Sequence, residues 1–366
     1  MSLLQFITAV PLDVWGGSGC YVGTRTLAEG LRQLGIDVAW ITPRIVTPVY
    51  TATRILFNET LRWRHFSGAA TVGIDADGYS IAGRRAAPPH IACIKGVLGD
   101  AVRFERGATR ASMAFQAHLE AKHACRAVQV ITVSHYCANR LEELYGVNNA
   151  VVVPELIDLD NWRQLFHANP AVPDSGKFTV LCVCRFYPRK RLDVLLRAVA
   201  LLRDRVPQLQ VRVVGNGPER HRLRQLSSEL NIEPALRWLG DVSADTLAAE
   251  YNGCDLFCLP SVQEGFGIVF LEAMAAGKPI VAARSAAVPE VVQRGILVDP
   301  GDPEALAEGI LRLYRDTDLR RSLGAAGLGE VQQFEMHRIA SRFLDEVAKV
   351  VPSIKSAQRR EVEHGA

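Results

Sequence analysis

The 366-residue chain predicts two α/β domains, each a parallel sheet flanked by helices. Three observations carry this. Short apolar runs alternate with helical stretches along the whole length, the rhythm of strand–helix–strand units. A turn-rich stretch over His167–Lys177 breaks that rhythm near the middle, with Asn169, Pro170, Pro173, Asp174, Ser175 and Gly176. The length suits two domains of ordinary size. The expected division is 1–168 and 169–350, with a polar, mobile tail over 351–366.

The elements follow in order. Leu3–Val10 is an apolar run broken by Pro11 and Asp13, with no basic residues before it, so it reads as a buried first strand rather than a signal peptide. The turn Gly16-Gly17-Ser18-Gly19 opens a helix that Gly35 caps. Ile36–Ile41 is the second strand. Thr71–Ile81 reads as a hairpin turning at Asp75-Ala-Asp-Gly78. His90–Ile94, Val128–Val133 and Ala150–Val153 are further strands, with a helix over Ala111–Cys125. In the second half, strands are expected at Thr179–Cys184, Gln210–Val214, Leu236–Leu239, Leu256–Leu259, Pro279–Ala282 and Ile296–Val298. Two such domains face to face leave a cleft at the C-terminal ends of their strands, where open α/β sheets bind ligands.

Composition excludes several classes. Apolar residues at 48% and charged residues at 22% are globular usage, not that of a disordered chain. Lys+Arg at 42 against Asp+Glu at 39 is too balanced for a general binder of nucleic acid. No run of 18 apolar residues is present to span a membrane. The eight cysteines form no C-x-x-C pair and read as reduced core residues, which points to the cytoplasm.

Three signals carry chemistry. The first glycine turn can bring backbone N–H groups to a phosphate, or can simply be a tight strand-to-helix turn. The second strand ends Ile41-Thr-Pro-Arg44, without the acid a dinucleotide ribose needs, and no Walker A loop exists. The second signal is Arg185-Phe-Tyr-Pro-Arg-Lys-Arg191 at the end of a strand, with Gly215-Asn-Gly-Pro218 closing the next one. Arg185 and Lys190 suit a diphosphate; the plain alternative is a solvated basic loop. The third is Glu264-Gly-Phe-Gly-Ile-Val-Phe-Leu-Glu272, a loop running into a short apolar helix. Sugar hydroxyls would satisfy Glu264 and ribose hydroxyls Glu272, while phosphate would sit on the N–H groups of Gly267 to Val269. Both acids can instead pair with neighbouring arginines.

This ordered set resembles retaining glycosyltransferases of family 4, which have the GT-B fold of two Rossmann-like domains. The resemblance runs through Gly16-Gly17, Val130-Ile-Thr-Val-Ser134, Arg185 with Lys190, Gly215-Asn-Gly-Pro218, the E-x7-E pair Glu264 and Glu272, Val288-Pro-Glu290 and Gly295–Pro300. It implies that Phe334–Val350 is a final helix crossing back to the N-terminal domain. It also implies retaining transfer of a glycosyl group from a nucleotide-sugar to an acceptor hydroxyl, on a glycan, a glycoside natural product or a lipid-linked sugar. No metal and no cofactor are required. Arg185, Lys190 and Glu264 take the catalytic roles. Gly16, Gly17, Gly217, Gly265, Phe266, Gly267, Ile268, Val269 and Glu272 bind the donor, whose base and sugar stay open.

Two departures stand out. Lys95 occupies the place of a histidine that many members carry, in Ile91-Ala-Cys-Ile-Lys-Gly96. Pro154-Glu155-Leu-Ile-Asp158 replaces the family's P-N-G-V-D. Lys95 and, in the loop that follows, Asp100 are taken as contacts to donor or acceptor. Alternative functions are a sugar-nucleotide epimerase or phosphorylase of the same fold, and a catalytically silent nucleotide-sugar-binding subunit. Asp75-Ala-Asp77 fits a metal-binding D-x-D but reads better as a hairpin turn. His118 and His123 do not share a helix face as a metal pair would. Arg62-Trp-Arg-His-Phe66 mixes cations with aromatics, the composition of a weak peripheral membrane contact.

Overall fold

The computed structural model describes residues 3–10, 19–84, 87–171 and 176–354. They form two compact units, Met1–Leu156 with Met336–Ala366, and Ile157–Glu335.

In unit 1 the strands are β1 (Leu3–Ile7), β2 (Asp37–Ile41), β3 (Ala70–Ile74), β4 (His90–Ile94), β5 (Gln129–Thr132) and β6 (Val151–Val152). They make a parallel sheet in the order β2-β1-β3-β4-β5-β6. Its helices are α1 (Gly19–Gln33), α2 (Tyr50–Thr60), α3 (Leu98–Ala101), α4 (Gly107–Ala124) and α5 (His135–Tyr145). Every residue of β3 and β4 is buried, as continuous apolar runs in a parallel sheet require.

Unit 2 holds α6 (Leu159–Ala168), α7 (Leu192–Leu202), α8 (Arg220–Glu229), α9 (Ala244–Gly253), α10 (Ile268–Ala275), α11 (Val288–Val291), α12 (Pro303–Arg315) and α13 (Thr317–Glu330). Its strands are β7 (Phe178–Val183), β8 (Leu209–Val214), β9 (Leu236–Gly240), β10 (Leu256–Leu259), β11 (Ile280–Ala283) and β12 (Ile296–Val298). The parallel sheet runs β12-β11-β10-β7-β8-β9.

The last helix, α14 (Met336–Val350), belongs to unit 1. Its apolar residues recur every three or four positions and bury Met336, Ile339, Ala340, Phe343, Leu344 and Val347 against the β1–β3 core and α1. Gly30 on α1 permits the contact, since a Cβ there would lie 2.8 Å from Met336 and 2.9 Å from Ala340.

The hairpin expected at Thr71–Ile81 does not form. Ala70–Ile74 is a single strand paired in parallel to β1 and β4, and the chain then turns back through Asp75–Gly78. After Gly78 the chain continues in turns, with Ile81 buried among Ile7, Phe57 and Leu61 and Tyr79 against Leu119. Between the units the chain divides at Leu156/Ile157, because Ile157 N–H donates to Phe334 O and α6 packs on α9 through Trp162 against Tyr251. All eight cysteines are free thiols.

Candidate functional site

In unit 2 the strands β10, β7 and β8 are neighbours, so their carboxyl ends lie side by side. Those ends carry three of the segments singled out above. The turn after β8 lies flat on the chain leaving β7: a Cβ on Gly215 would fall 2.0 Å from Cys184 O, and one on Gly217 2.6 Å from Phe186 N. Only glycine fits either place. Arg185, half-exposed, pairs with Asp241 at 3.1 Å.

The loops after β7 and β10 are laced together. Val262 N–H donates to Arg189 O at 2.9 Å, and Arg189 Nε donates to Gln263 Oε1 at 2.9 Å. Lys190 Nζ meets Glu264 Oε1 at 2.5 Å, with both side chains largely buried. Burial alone would raise the Glu264 carboxyl; the charges of Lys190 and Arg189 outweigh it and hold the group below the usual carboxylate range. Glu264 is therefore a fixed carboxylate at neutral pH, an acceptor only.

Gly267, in the left-handed region at φ 95°, turns the chain into α10. The N–H groups of the first turn, at Ile268 and Val269, have no acceptor within the helix. Phe266 is buried edge-on against Phe334, with ring centroids 5.4 Å apart, which fixes the loop. Glu272 faces inward from α10. Burial pushes its carboxyl up to about 7, and the Tyr251 hydroxyl donates to its Oε2 at 2.9 Å. Arg185, Lys190, Gly217, Gly265, Phe266, Gly267, Ile268, Val269, Glu264 and Glu272 are thus gathered on adjacent strand ends of one sheet and the helix that follows. Gly16 and Gly17 lie outside the described residues.

Lys95 and Asp100 belong to unit 1, and each has charged partners there. Lys95 Nζ pairs with Glu155 Oε2 at 2.8 Å, both buried. Asp100 is buried between Arg103 and Arg140, each at 3.1 Å, and accepts from the Tyr136 hydroxyl at 2.7 Å. The Asp75-Ala-Asp77 turn is likewise caged. Asp77 accepts from Ala9 N at 2.7 Å, Arg54 Nε at 3.0 Å and Asn58 Nδ2 at 3.1 Å. Among the described residues no group of three His, Cys, Asp or Glu side chains is placed to hold a metal ion. His123 pairs not with His118 but with His90, Nε2 to Nε2 at 2.7 Å.

Sequence reasoning missed the partners: Glu155, Gln263, Asp241 and Tyr251. Asp241 and Tyr251 reach the site from separate segments, whereas Gln263 directly precedes Glu264 and Glu155 stands in the segment that departs from P-N-G-V-D. The one signal was Glu155, as a departure at a named position.

The two parallel-sheet units have the GT-B fold. Sucrose-phosphate synthase from Thermosynechococcus elongatus superposes with a TM-score of 0.81 over 96% of this chain and all of that one, at 21% identity. The Anabaena protein Alr3699/HepE, solved in complex with UDP-glucose, superposes at 0.72 over 95% of this chain and all of that one, at 19% identity. Residues 165–329, which lie inside unit 2, match the model of the family Glycosyl transferases group 1. Among curated relatives, a GDP-mannose-dependent alpha-(1-6)-phosphatidylinositol monomannoside mannosyltransferase of Mycobacterium tuberculosis is 32% identical over 232 residues, 59% of this chain. The match spans 60% of that relative's length.

Proposed function

We propose that this chain is a glycosyltransferase that moves a glycosyl group from a nucleotide-sugar to an acceptor hydroxyl, with retention and without a metal. The observation that carries the reading is the buried Lys190–Glu264 pair beside the first turn of α10, with Arg185 on the neighbouring strand end. A departing diphosphate needs cations and N–H donors where charge grows, and Arg185, Lys190 and the N–H groups of Ile268 and Val269 supply them. Glu264, held ionised, orients the donor sugar through its hydroxyls. Glu272 takes the ribose. Gly217, Gly265, Phe266 and Gly267 shape the donor's bed; Gly16 and Gly17 are assigned to the donor by the resemblance alone. Retention rests on the same resemblance and needs no side-chain nucleophile, since the leaving phosphate can accept the acceptor's proton on the same face. The kinship with a mannosyltransferase that uses GDP-mannose, and the fold shared with a protein that binds UDP-glucose, support a nucleotide-sugar without choosing its base.

The acceptor side belongs to unit 1. There the chain over 44–66 exposes Ile45, Val46, Val49, Leu56 and Trp63 beside Arg44, Arg62 and Arg64. This composition suits a lipid-linked acceptor reached from an anionic membrane surface. The cytoplasm remains the proposed compartment.

The test is steady-state transfer from a panel of GDP-, UDP-, ADP- and dTDP-sugars, with the product anomer read by NMR. Arg185→Ala and Lys190→Ala should each lower kcat on the order of 10²-fold. Undiminished turnover in both variants, an inverted product, or a strict Mn²⁺ requirement overturns the corresponding part.

A further inference from the structure

The two departures from the family pattern meet in space. Lys95 follows β4, and Glu155 follows β6, sixty residues on. Their side chains form one buried ion pair at 2.8 Å, exposed 5% and 4%. The pair is knotted to two further segments of unit 1. Lys95 N–H donates to Asp75 Oδ1 at 2.8 Å, in the turn after β3. The Cys20 thiol, in the first turn of α1, donates to Asp75 Oδ2 at 3.4 Å. Glu155 presses on α1 itself: a Cβ on Gly23 would lie 2.2 Å from Glu155 Oε2. Among the described residues Lys95 Nζ has no other carboxylate within ion-pair distance.

We propose that Glu155 is a positioning residue that holds the Lys95 ammonium in place beneath the first turns of α1, and that Lys95, Glu155 and Gly23 are one coupled unit. A lysine at 95 then demands an acid at 155, and the acid demands a glycine at 23. A buried ammonium stripped of its only counter-charge is strongly destabilising, whereas removing both charges together is far milder. Among the described residues the titratable groups acting on Lys95 are Glu155, Cys93 and Cys20, and Asp75 accepts from its backbone N–H. Burial works to lower the Lys95 ammonium, and Glu155 more than offsets it, so in the wild type the lysine stays charged well above neutral pH. Without Glu155, burial governs and the lysine loses its proton at lower pH.

This gives a distinctive sign. Wild-type Lys95 has a raised folded value, so its contribution to stability is constant from pH 6 to pH 9 and declines only above the ordinary lysine range. In Glu155→Gln the folded value is depressed, so the native state holds an unpaired charge at pH 6 and sheds it as pH rises. The deficit against wild type must therefore shrink from pH 6 to pH 9.

The experiment is a thermal-unfolding cycle on the full chain with Lys95→Met, Glu155→Gln and the double variant, at both pH values. Glu155→Gln should lower Tm by on the order of 10 °C at pH 6 and by less at pH 9. The double variant should lie closer to wild type than the sum of the two singles. Additive shifts, or a Glu155→Gln deficit equal at both pH values, overturn the coupled pair. A kinetic arm rests on the transfer activity proposed above. Glu155→Gln should lose transfer progressively from pH 6 to pH 9 relative to wild type, and the double variant should show no such slope. A pH profile unchanged in Glu155→Gln overturns the positioning role. No transfer in the wild type overturns the glycosyltransferase reading and the kinetic half with it, while the thermal cycle still decides the pair.

Discussion

Glu264 and Glu272 sit eight residues apart and live in opposite environments. Both are buried, yet two cations face Glu264, while among the described residues a tyrosine hydroxyl is the group that donates to Glu272. The first is ionised throughout the physiological range. The second, raised to about 7, is half-protonated there. Its raised folded value makes the protonated form the native one, so its contribution to stability is present at acid pH and is lost as pH rises through about 7. Ribose hydroxyls would donate to the ionised form and relieve that cost. Nucleotide affinity should therefore strengthen on the order of 10-fold between about pH 5.5 and about pH 8. Glu272→Gln should flatten that dependence. Calorimetric titration with UDP or GDP reads both, and an affinity independent of pH in the wild type removes Glu272 from the ribose. The identity of these acids was legible from their spacing around a glycine loop. Their electrostatic difference was not, because Lys190 and Tyr251 arrive from other segments.

At the scale of elements, regular rhythm was the readable part. The strands of both sheets fall close to where apolar runs end in turns, since a parallel sheet buries whole runs and leaves a strong signal. The exception is the stretch after β3. Asp75, Asp77 and Gly78 look like a solvent-facing turn, and in sequence nothing marks Arg54 and Asn58 on α2 or His123 on α4 as the groups that cage it. Long-range polar partners can bury a turn that local chemistry assigns to the surface. The same blindness covered α2, whose neighbourhood holds Trp63 at 91% exposed, Val46 at 78% and Ile45 at 70%. Apolar side chains that open to solvent, with arginines among them, are expected to partition into an anionic interface. The full chain should co-sediment with phosphatidylcholine vesicles containing phosphatidylglycerol and not with pure phosphatidylcholine. Trp63→Ser with Val46→Ser, or Arg44→Glu with Arg64→Glu, should weaken the association by on the order of 10-fold. Binding that survives both pairs moves the contact elsewhere, and a concentration-dependent dimer that these substitutions abolish assigns the face to a second copy.

The whole molecule is built from one continuous unit and one that is split along the chain. Unit 2 is a single run, Ile157–Glu335, and holds the segment that matches the glycosyl transferase model and the Lys190–Glu264 pair. Unit 1 needs both ends of the sequence, because α14 covers the core of its sheet. The helix buries six side chains, Met336, Ile339, Ala340, Phe343, Leu344 and Val347. At about 1.5–3 kcal/mol for each large one, this is on the order of 10 kcal/mol, as much as a whole domain's net stability. Ending the chain after Glu335 should therefore unfold unit 1 and spare unit 2. The outcome is directional, because α14 follows unit 2 in sequence yet packs on the core of unit 1. Limited proteolysis of the truncated chain should digest 1–156 and leave a resistant fragment over 157–335. That fragment should still bind UDP or GDP, since Arg185, Lys190, Glu264 and Glu272 are all internal to it. Survival of 1–156 would mean that the β1–β3 core is stable without α14. Loss of both halves would mean that unit 2 lacks a self-sufficient core, and with it the basis for placing donor recognition in one contiguous segment.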